Sequence, residues 1–397
     1  MIELSDRINA MEESATIAMS RKSRELKAEG KDVIALSLGE PDFNTPDFIK
    51  EAANKAMNDN FTYYTPVPGY LDLRQAISKK FKRDNDLDYS PEQIVVSTGA
   101  KQSIANVVLS LINKGDEVII PAPYWVSYLE IVKVSEGSPV IVNAGIENDF
   151  KLSGKELEAA ITDKTKLIIF STPCNPTGSV YSKEELVEIA EVLERYPNVI
   201  IIADEIYEHI NFTSKHESLA QFPEIKNQVV TVNGVSKAWA MTGWRLGYIG
   251  ASEQIAKACT KMQGQFTSGT SSISQKAAIA AMEADPAVLK DMISAFEGRR
   301  KLVLDALNQI EGVKTNIPEG AFYVFPDVSY FYGKSYNGRV INDCNDLAMY
   351  LLDEALVALV TGEAFGDPNC IRISYATSEE ILTDAMNRIR EALEKLS

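Results

Sequence analysis

One stretch decides how the rest of the chain is interpreted: residues 234–247 have the sequence GVSKAWAMTGWRLG. Lys237 stands there between small residues, and Arg245 follows eight positions later. Small neighbours let a planar ligand lie close to the backbone. Burial turns a lysine amine into a nucleophile, because it disfavours the charged form. An arginine in the following loop can hold a phosphate group through two parallel hydrogen bonds.

A lysine nucleophile beside a phosphate anchor is what pyridoxal phosphate (PLP) requires for a Schiff base with a protein. On these residues alone, a surface loop with an ordinary solvated lysine is an equally good interpretation. The remainder of the sequence has to decide between the two.

Length and charge limit the classes of protein to consider. The chain has 397 residues, which is long for a single core, so two domains are expected. Hydrophobic residues make up 45% and charged residues 24% of the chain, as in soluble globular proteins. The 56 acidic and 40 basic residues give a net charge of −16, which argues against binding to nucleic acid or to a membrane.

Cysteine and histidine content points away from metal chemistry. The four cysteines, at positions 174, 259, 344 and 370, show no metal-ligand spacing, and we expect free thiols in a reducing cytosol. His209 and His216 are the only histidines, so neither a histidine-ligated metal nor a serine triad is expected. No basic-then-apolar signal and no run of about 18 apolar residues occurs, which predicts a cytoplasmic protein.

Short apolar strands alternate with helices through the middle of the chain. The predicted strands are Ile94–Thr98, Glu117–Ile120, Val140–Val142, Leu167–Phe170, Val199–Asp204 and Val229–Val232. Predicted helices run to Leu111, start at about Trp125 and cover 183–195. This alternation is typical of a mostly parallel sheet that is covered on both faces.

The two ends of the chain have a different pattern. Residues 5–29 predict one polar helix, and Thr45-Pro46 predicts a helix N-cap with proline at the first helical position. Beyond Pro286 a long charged helix over about 288–310, a helix near 342–354 and a final amphipathic helix predict a smaller α+β lobe. We expect the N-terminal helix to join that lobe.

Residues suited to bind a ligand follow the predicted strands. They are Gly99-Ala100-Lys101, Pro121–Trp125, Asn175, Asp204–Tyr207 and Lys237. In parallel α/β sheets, ligands bind beyond the carboxyl ends of the strands. These residues are therefore expected to meet at one edge.

Six motifs in this order resemble the class I aminotransferases of PLP fold type I, and in particular their bacterial-type aspartate aminotransferase subgroup. The motifs are GEPDF (39–43), PYW (123–125), NPTG (175–178), DEIY (204–207), the lysine loop and RISY (372–375). The likeness extends from Ser14 to the last helix. It implies a seven-stranded, mostly parallel sheet in a large PLP-binding domain (46–288), and a smaller domain formed by 1–45 and 289–397.

The resemblance implies three catalytic residues. Lys237 would form the Schiff base with PLP and then move a proton as general base. Asp204 would pair with the ring nitrogen, although an acidic cap on the next helix is the alternative. Tyr207 and Asn175 would hydrogen-bond the phenolic oxygen of the ring, although Asn175 could also be a plain turn residue.

The remaining cofactor contacts are likewise implied. The backbone of Gly99, Ala100 and Lys101 at a helix N-terminus would hold the phosphate together with Arg245. Trp125 would stack on the ring, unless it is a core aromatic residue. Tyr64 resembles the tyrosine that reaches the phosphate of the neighbouring subunit, which implies a homodimer with shared active sites. Local packing of Tyr64 among prolines is the alternative.

For the substrate, the resemblance implies that Arg372 and the Gly39 N–H bind the α-carboxylate, with domain closure following, and that Trp125 and Asn175 lie beside it. Lys101 and a hydroxyl near Ser14 or Thr16 would bind the distal carboxylate of a dicarboxylic amino acid. Both hydroxyl residues could instead be helix caps.

Two positions depart from the family pattern. Gly234 stands where related enzymes carry a phosphate-binding serine, and the adjacent Ser236 is a candidate substitute. Glu12-Glu13 stands where relatives that accept prephenate tend to carry Lys-Pro, so that activity is not expected.

The implied reaction is transamination between L-aspartate and 2-oxoglutarate. An aminotransferase with broader, aromatic or prephenate specificity, and a PLP-dependent carbon–sulfur β-lyase, are the alternatives on the same fold. A regulator built on this fold would need a DNA-binding segment, and a nicotinamide dehydrogenase would need a G-x-G-x-x-G motif after the first strand of the sheet.

Overall fold

Strands and helices alternate along the structure, a computed structural model that describes residues 2–213 and 215–397. The strands are β1 (Ile34–Ala35), β2 (Ile94–Ser97), β3 (Glu117–Ala122), β4 (Ser138–Asn143), β5 (Thr165–Ser171), β6 (Ile200–Asp204), β7 (Val229–Gly234), β8 (Gly247–Gly250), β9 (Tyr323–Val324), β10 (Ser335–Tyr336), β11 (Arg339–Val340), β12 (Val357–Ala358), β13 (Val360–Thr361) and β14 (Ile371–Ser374). The helices are α1 (Asp6–Asn9), α2 (Ala15–Ala28), α3 (Asp47–Asn58), α4 (Leu71–Asn85), α5 (Ala100–Leu111), α6 (Ser127–Val134), α7 (Gly154–Ala160), α8 (Lys183–Arg195), α9 (Glu253–Phe266), α10 (Ser272–Glu283), α11 (Lys290–Leu307), α12 (Cys344–Glu354) and α13 (Glu379–Glu394).

The central sheet has seven strands in the order β2-β8-β7-β6-β5-β3-β4. Strand β8 runs antiparallel to β2 and β7, whereas the other neighbouring pairs are parallel. This confirms the predicted α/β fold class with a mostly parallel seven-stranded sheet. The sequence pattern did not reveal β8, because a four-residue strand bounded by glycines carries little hydrophobic signal.

Both faces of the sheet are buried, as the continuous apolar strands predict. In β5, Ile168 and Phe170 pack into one hydrophobic cluster, and Leu167 and Ile169 pack into the cluster on the opposite face. Helices α4, α8 and α10 cover the first face, and α5, α6 and α9 cover the second. A sheet buried on both faces leaves its strand ends as the place where polar side chains can gather.

Residues from both ends of the chain form smaller sheets beside the central one. Strand β1 pairs in parallel with β12, and β14 lies between β13 and β9 in an antiparallel sheet. Helix α11 packs against α13. The domain boundaries, 46–288 for the large domain and 1–45 with 289–397 for the small one, stay a prediction.

Three local predictions are wrong. Residues 5–29 form two helices, α1 and α2, because the chain crosses to α6 between them, where the Glu12 N–H donates to the Glu130 carboxylate (3.0 Å). Pro46 is the N-cap of α3 rather than its first helical residue, and the Thr45 hydroxyl donates to the Ala240 carbonyl (2.7 Å) instead of capping the helix. The helix expected from about Trp125 begins at Ser127.

The described residues contain no helix that combines the length and the apolar character needed to cross a bilayer.

Candidate active site

Four strands of the central sheet end at one edge, and a predicted site residue follows or closes each of them. Strand β2 leads to Gly99, β5 leads to Asn175, β6 ends with Asp204 and β7 leads to Lys237. The carboxyl ends of neighbouring parallel strands lie side by side, so these positions meet around one cleft. Its cavity volume is about 250 Å³, which suits a small molecule rather than a macromolecule.

Most of the predicted site residues line this cleft. They are Ser14, Gly39, Ala100, Lys101, Trp125, Asn175, Asp204, Tyr207, Lys237, Arg245 and Arg372. Gly99 lies directly beneath the Arg245 guanidinium. Tyr64 is 100% exposed and lies outside the cleft, so within one chain it contributes nothing to this site. Its predicted role therefore depends on a second subunit.

Lys237 presents its amine in the cleft, and no carboxylate of the described residues is in hydrogen-bond contact with it. Its Nζ donates to the Gly39 carbonyl (2.7 Å) and lies 5.7 Å from the centre of the Tyr207 ring. Burial, together with the positive charges of Arg372 and Arg245, lowers the pKa of Lys237 to about 8. A substantial fraction of this amine is therefore neutral near physiological pH and able to act as a nucleophile or a base.

Asp204 is a buried carboxylate at the end of β6. It accepts hydrogen bonds from the Tyr128 hydroxyl (2.7 Å) and from the Ile206 N–H (3.3 Å). Burial raises the pKa of Asp204 to about 6, because these hydrogen bonds compensate only part of the lost hydration and the Glu205 charge opposes ionisation. A cationic N–H facing Asp204 would favour its charged form.

The start of α5 forms a corner suited to an anion. A Cβ at Gly99 would collide with the Arg245 guanidinium, and a Cβ at Gly247 would collide with the Ala100 backbone, so both positions need glycine. Gly99 also has φ +85°, a conformation that glycine adopts without strain. The result is an arginine packed against the N-terminus of a 12-residue helix. Backbone N–H groups, the helix dipole and the guanidinium all favour a phosphate there.

Arg372, on β14, enters the cleft from the opposite side and is 2% exposed. It donates to the Asn175 side-chain oxygen (2.9 Å) and to the Ser37 carbonyl (2.5 Å). Its guanidinium carbon lies 4.6 Å from the centre of the Tyr323 ring. Among the described residues its Nε has no hydrogen-bond partner, and neutral acceptors alone leave its charge uncompensated. A carboxylate ligand would give Nε a hydrogen-bond acceptor and would compensate the charge of the guanidinium.

The mouth of the cleft is formed by Lys101, Trp125 and Ser14. Lys101 Nζ lies 5.0 Å from the centre of the Trp125 ring. Burial and the nearby Arg245 lower the pKa of Lys101, so an anion at this place would be favourable. Ser14 is the N-cap residue of α2 but makes no side-chain cap hydrogen bond, which leaves its hydroxyl available to a ligand.

The charges that line the cleft are unbalanced. Four cationic side chains, Lys101, Lys237, Arg245 and Arg372, face the single carboxylate of Asp204. In a chain with a net charge of −16, this local excess is a strong sign of an anionic ligand. A ligand with a phosphate, a carboxylate and a basic ring nitrogen would match these charges position by position.

Sequence reasoning missed two tyrosines of the site. Tyr128 holds Asp204, and the Tyr323 hydroxyl lies 2.8 Å from the Tyr207 hydroxyl. Tyr128 follows Trp125 by three residues, and a turn in which the Tyr128 N–H donates to the Trp125 carbonyl (2.9 Å) places the two rings 5.5 Å apart. No comparable signal marked Tyr323, because it reaches the site only through the fold of the C-terminal residues. Ser236, the proposed substitute for the missing serine, does line the cleft.

Comparison with known proteins agrees with this geometry. The family model for aminotransferase class I and II matches residues 31–389. A Rickettsia felis protein named probable aspartate/prephenate aminotransferase is 50% identical over 397 residues, covering 99% of this chain and 97% of its own length. The solved structure of aspartate aminotransferase from Rhizobium meliloti has a TM-score of 0.97 at 42% identity and covers 100% of both chains. That of the Thermus thermophilus aspartate aminotransferase with maleate has a TM-score of 0.93 at 38% identity, covering 99% of this chain and 100% of its own.

Proposed function

This chain belongs to the class I and II aminotransferases, and on that premise we propose that it transfers the amino group of L-aspartate to 2-oxoglutarate with PLP as cofactor. The products are oxaloacetate and L-glutamate. The observation that carries the proposal is the charge pattern of the cleft, where three other cationic side chains and one buried carboxylate surround the Lys237 amine with its lowered pKa.

The residues of the cleft fit PLP at three separate points. Arg245 and the N-terminus of α5 match the phosphate, Asp204 matches the ring nitrogen, and Lys237 matches the aldehyde. When bound, PLP supplies a carbonyl carbon that condenses with amines and a pyridine ring that withdraws electrons from the substrate Cα. Asp204 would keep that ring positively charged, because its carboxylate is buried and, among the described residues, has only the neutral Tyr128 hydroxyl and Ile206 N–H as hydrogen-bond donors.

Lys237 then acts as the base of the reaction. With a substrate bound in the cleft, the free Nζ of Lys237 would take up the proton from the substrate Cα. A pKa near 8 suits this task, since the amine can be neutral when it accepts a proton and can still return it. The Tyr207 ring lies beneath Nζ, and Asn175 accepts a hydrogen bond from Arg372. Both side chains would hydrogen-bond the phenolic oxygen of the cofactor ring and so fix its orientation.

Substrate recognition is assigned to two cationic positions. Arg372, with the backbone of Gly39 beside it, binds the α-carboxylate and aligns the Cα proton with Lys237. Lys101, with Ser14 and Trp125 at the mouth, binds the distal carboxylate of aspartate. Support for a dicarboxylic substrate comes from the Thermus thermophilus relative, whose structure contains maleate.

The relatives named aspartate/prephenate aminotransferase do not extend this proposal to prephenate. In this chain the Glu12 N–H is bound to the Glu130 carboxylate, and burial together with Glu130 and Glu12 raises the pKa of Tyr124. Glu12 is two positions before Ser14, which lines the cleft, and a negative charge close to that residue would disfavour a substrate with an additional carboxylate.

The proposal includes a cytoplasmic homodimer. Tyr63 and Tyr64 are exposed aromatic residues on one loop, which supports a contact with a second subunit in which Tyr64 reaches the phosphate of the neighbouring site. All four cysteines are free, which suits a reducing compartment. The small domain (1–45 and 289–397) is proposed to close over the large one when a carboxylate binds Arg372.

A two-step assay tests the proposal. Purified protein loaded with PLP is mixed with L-aspartate alone, and then with 2-oxoglutarate. We expect the visible absorbance of the bound cofactor to change in the first step and to return in the second. Lys237→Ala is the matched control, and a panel with phenylalanine, prephenate and cystathionine completes the test. Pyruvate release from cystathionine without any response to aspartate would replace the transaminase with a β-lyase.

A further inference from the structure

Both histidines of the chain lie behind the cleft in a buried ionic cluster. We call it the rear cluster; it contains Lys80, Asp84, Glu205, Glu208, His209 and His216. His216 stands in a polar stretch of the sequence, TSKHES (213–218), yet this side chain is 8% exposed and Glu205 is 0% exposed. Buried charges of this kind are unfavourable unless they compensate one another.

Glu205 and His216 form one compensated pair within the rear cluster. His216 Nε2 lies 3.1 Å from one carboxylate oxygen of Glu205, and the other oxygen accepts a hydrogen bond from the Ser218 hydroxyl (2.6 Å). Burial alone would lower the pKa of His216, but the charge of Glu205, followed by that of Glu208, raises it against the opposing charge of Lys80. Glu205 therefore favours the charged form of the imidazole.

The other carboxylate facing His216 has its own partners. Glu208 receives hydrogen bonds from Lys80 and from the Asn85 amide (2.7 Å), both on α4. His209 Nε2 also lies 3.1 Å from Glu208. Glu208 therefore does not depend on His216 for its compensation, whereas the charged partner of Glu205 is His216.

The pair stands next to the carboxylate that the proposed function assigns to the cofactor ring. Asp204 and Glu205 are consecutive, so their side chains lie on opposite sides of the chain, one in the cleft and one in the rear cluster. The charge of Glu205 opposes ionisation of Asp204. A positively charged imidazole beside Glu205 offsets the Glu205 charge. Asp204 then ionises more readily, and its carboxylate can accept a hydrogen bond from the ring N–H of the cofactor.

We propose that His216 is a positioning residue that neutralises Glu205 and thereby keeps Asp204 charged opposite the cofactor ring nitrogen. This inference rests on the proposed function for the role of Asp204. It predicts an asymmetry between the two partners. Replacing Glu205 by glutamine takes away the negative charge behind Asp204. Replacing His216 leaves that charge in place without its partner.

The first experiment follows the imidazole itself in the protein without cofactor. With only two histidines in the chain, His209→Gln leaves a single imidazole signal for a pH titration by NMR. We expect His216 to titrate above the usual range of histidine, and to titrate lower when Glu205→Gln is added, because burial and Lys80 are then opposed by the charge of Glu208 alone. A titration that Glu205→Gln leaves unchanged overturns the pairing.

The second experiment measures PLP dissociation constants from pH 6 to pH 8.5. We expect His216→Gln to weaken binding about tenfold at pH 6, the effect of about one pKa unit at Asp204, and less at pH 8.5, where the wild-type imidazole has lost more of its positive charge. Glu205→Gln and the Glu205→Gln/His216→Gln double variant are expected to stay within about threefold of wild type. His209→Gln is the matched control, because Glu208 keeps Lys80 and Asn85.

A purely structural role gives a different pattern. It would make Glu205→Gln as harmful as His216→Gln, leave the double variant no better than the single one, and show no dependence on pH; each of these results overturns the proposal. His216→Asn serves as the second variant if His216→Gln does not fold. Wild-type protein that binds no PLP overturns the proposed function as well, whereas PLP binding that tolerates His216→Gln at pH 6 overturns this inference alone.

Discussion

Lys80 in the rear cluster and Lys237 in the cleft are both removed from bulk water, but their surroundings differ. Lys80 Nζ contacts the Glu208 carboxylate and the Asn85 side-chain oxygen, so its charge is compensated where it is buried. Lys237 Nζ donates to a neutral backbone carbonyl, and Arg372 and Arg245 repel its charge.

The difference separates a lysine that stabilises the fold from one that is available for chemistry. The two environments lie back to back across one short segment, because Asp204 and Tyr207 line the cleft while Glu205 and Glu208 belong to the rear cluster. The Lys80 amine is buried next to the Glu208 carboxylate, whereas the Lys237 amine contacts only a neutral carbonyl. Substitutions at each lysine should therefore have opposite effects on stability and on turnover.

Lys237→Ala tests the chemical half of the comparison and has the largest expected effect. Without the amine, the cofactor has no covalent anchor and the substrate Cα has no base, so we expect turnover to fall on the order of 10⁴-fold or more. Aspartate turnover and thermal unfolding are measured together, with Lys55→Ala on the exposed face of α3 as control. Folding is expected to be preserved; turnover within about tenfold of wild type would show that another group is the base.

Lys80→Met tests the structural half. It leaves Glu208 buried without its lysine, and breaking a buried ion pair in this way destabilises a protein by about 3–5 kcal/mol. The free energy of unfolding is measured by urea denaturation, and turnover is expressed per folded molecule. We expect turnover to change little, and Lys80→Met/Glu208→Gln to recover part of the stability. A loss of turnover without a loss of stability would reverse the assignment of the two lysines.

Lys101→Ala sharpens the comparison with a third lysine, which stands at the mouth of the cleft. Its ammonium lies against Trp125 and is proposed to bind the distal carboxylate of the substrate. A hydrogen bond to a charged group contributes about 1.5–3 kcal/mol, so we expect KM for aspartate to rise about 10- to 100-fold. The KM for phenylalanine should change far less. Equal effects on both substrates would remove the specificity role.

The sequence was sufficient to predict which site residues follow the carboxyl ends of the parallel strands. Apolar runs followed by polar or small residues placed Asp204, Lys237 and Asn175 at one edge, and the structure brings them into one cleft. The reason is topological, because parallel strands align their carboxyl ends without any detail of packing.

What could not be predicted depends on contacts between distant segments. The residues around His216 are polar and suggest exposure, but Glu205 provides a buried partner that is invisible in the local pattern. Tyr323 reaches Tyr207 across 116 positions, and no local signal encodes that distance. The split of the first predicted helix likewise follows from a contact with Glu130 on α6.

Lys237→Met in the protein without cofactor gives the smallest effect, and the size of that effect depends on pH. The pKa of Lys237 is about 8 in the fold and about 10.4 in the unfolded chain, so the fold binds fewer protons between these values. Below pH 8 the ammonium must be kept charged in an unfavourable place, and this destabilises the wild-type protein. As pH rises from 8 to 10.4 the amine loses its proton and the penalty disappears. Urea denaturation should find Lys237→Met more stable than wild type at pH 7, by about 1–2 kcal/mol because the side chain is only partly buried.

The advantage of Lys237→Met should vanish near pH 10.4, whereas Lys55→Met, at a side chain that is 75% exposed, should show no such trend. An advantage that persists at high pH would reflect packing of the methionine rather than the charge. A variant less stable than wild type at pH 7 would mean that the lysine of the cleft is compensated after all, as Lys80 is in the rear cluster, and the contrast between the two lysines would then be lost.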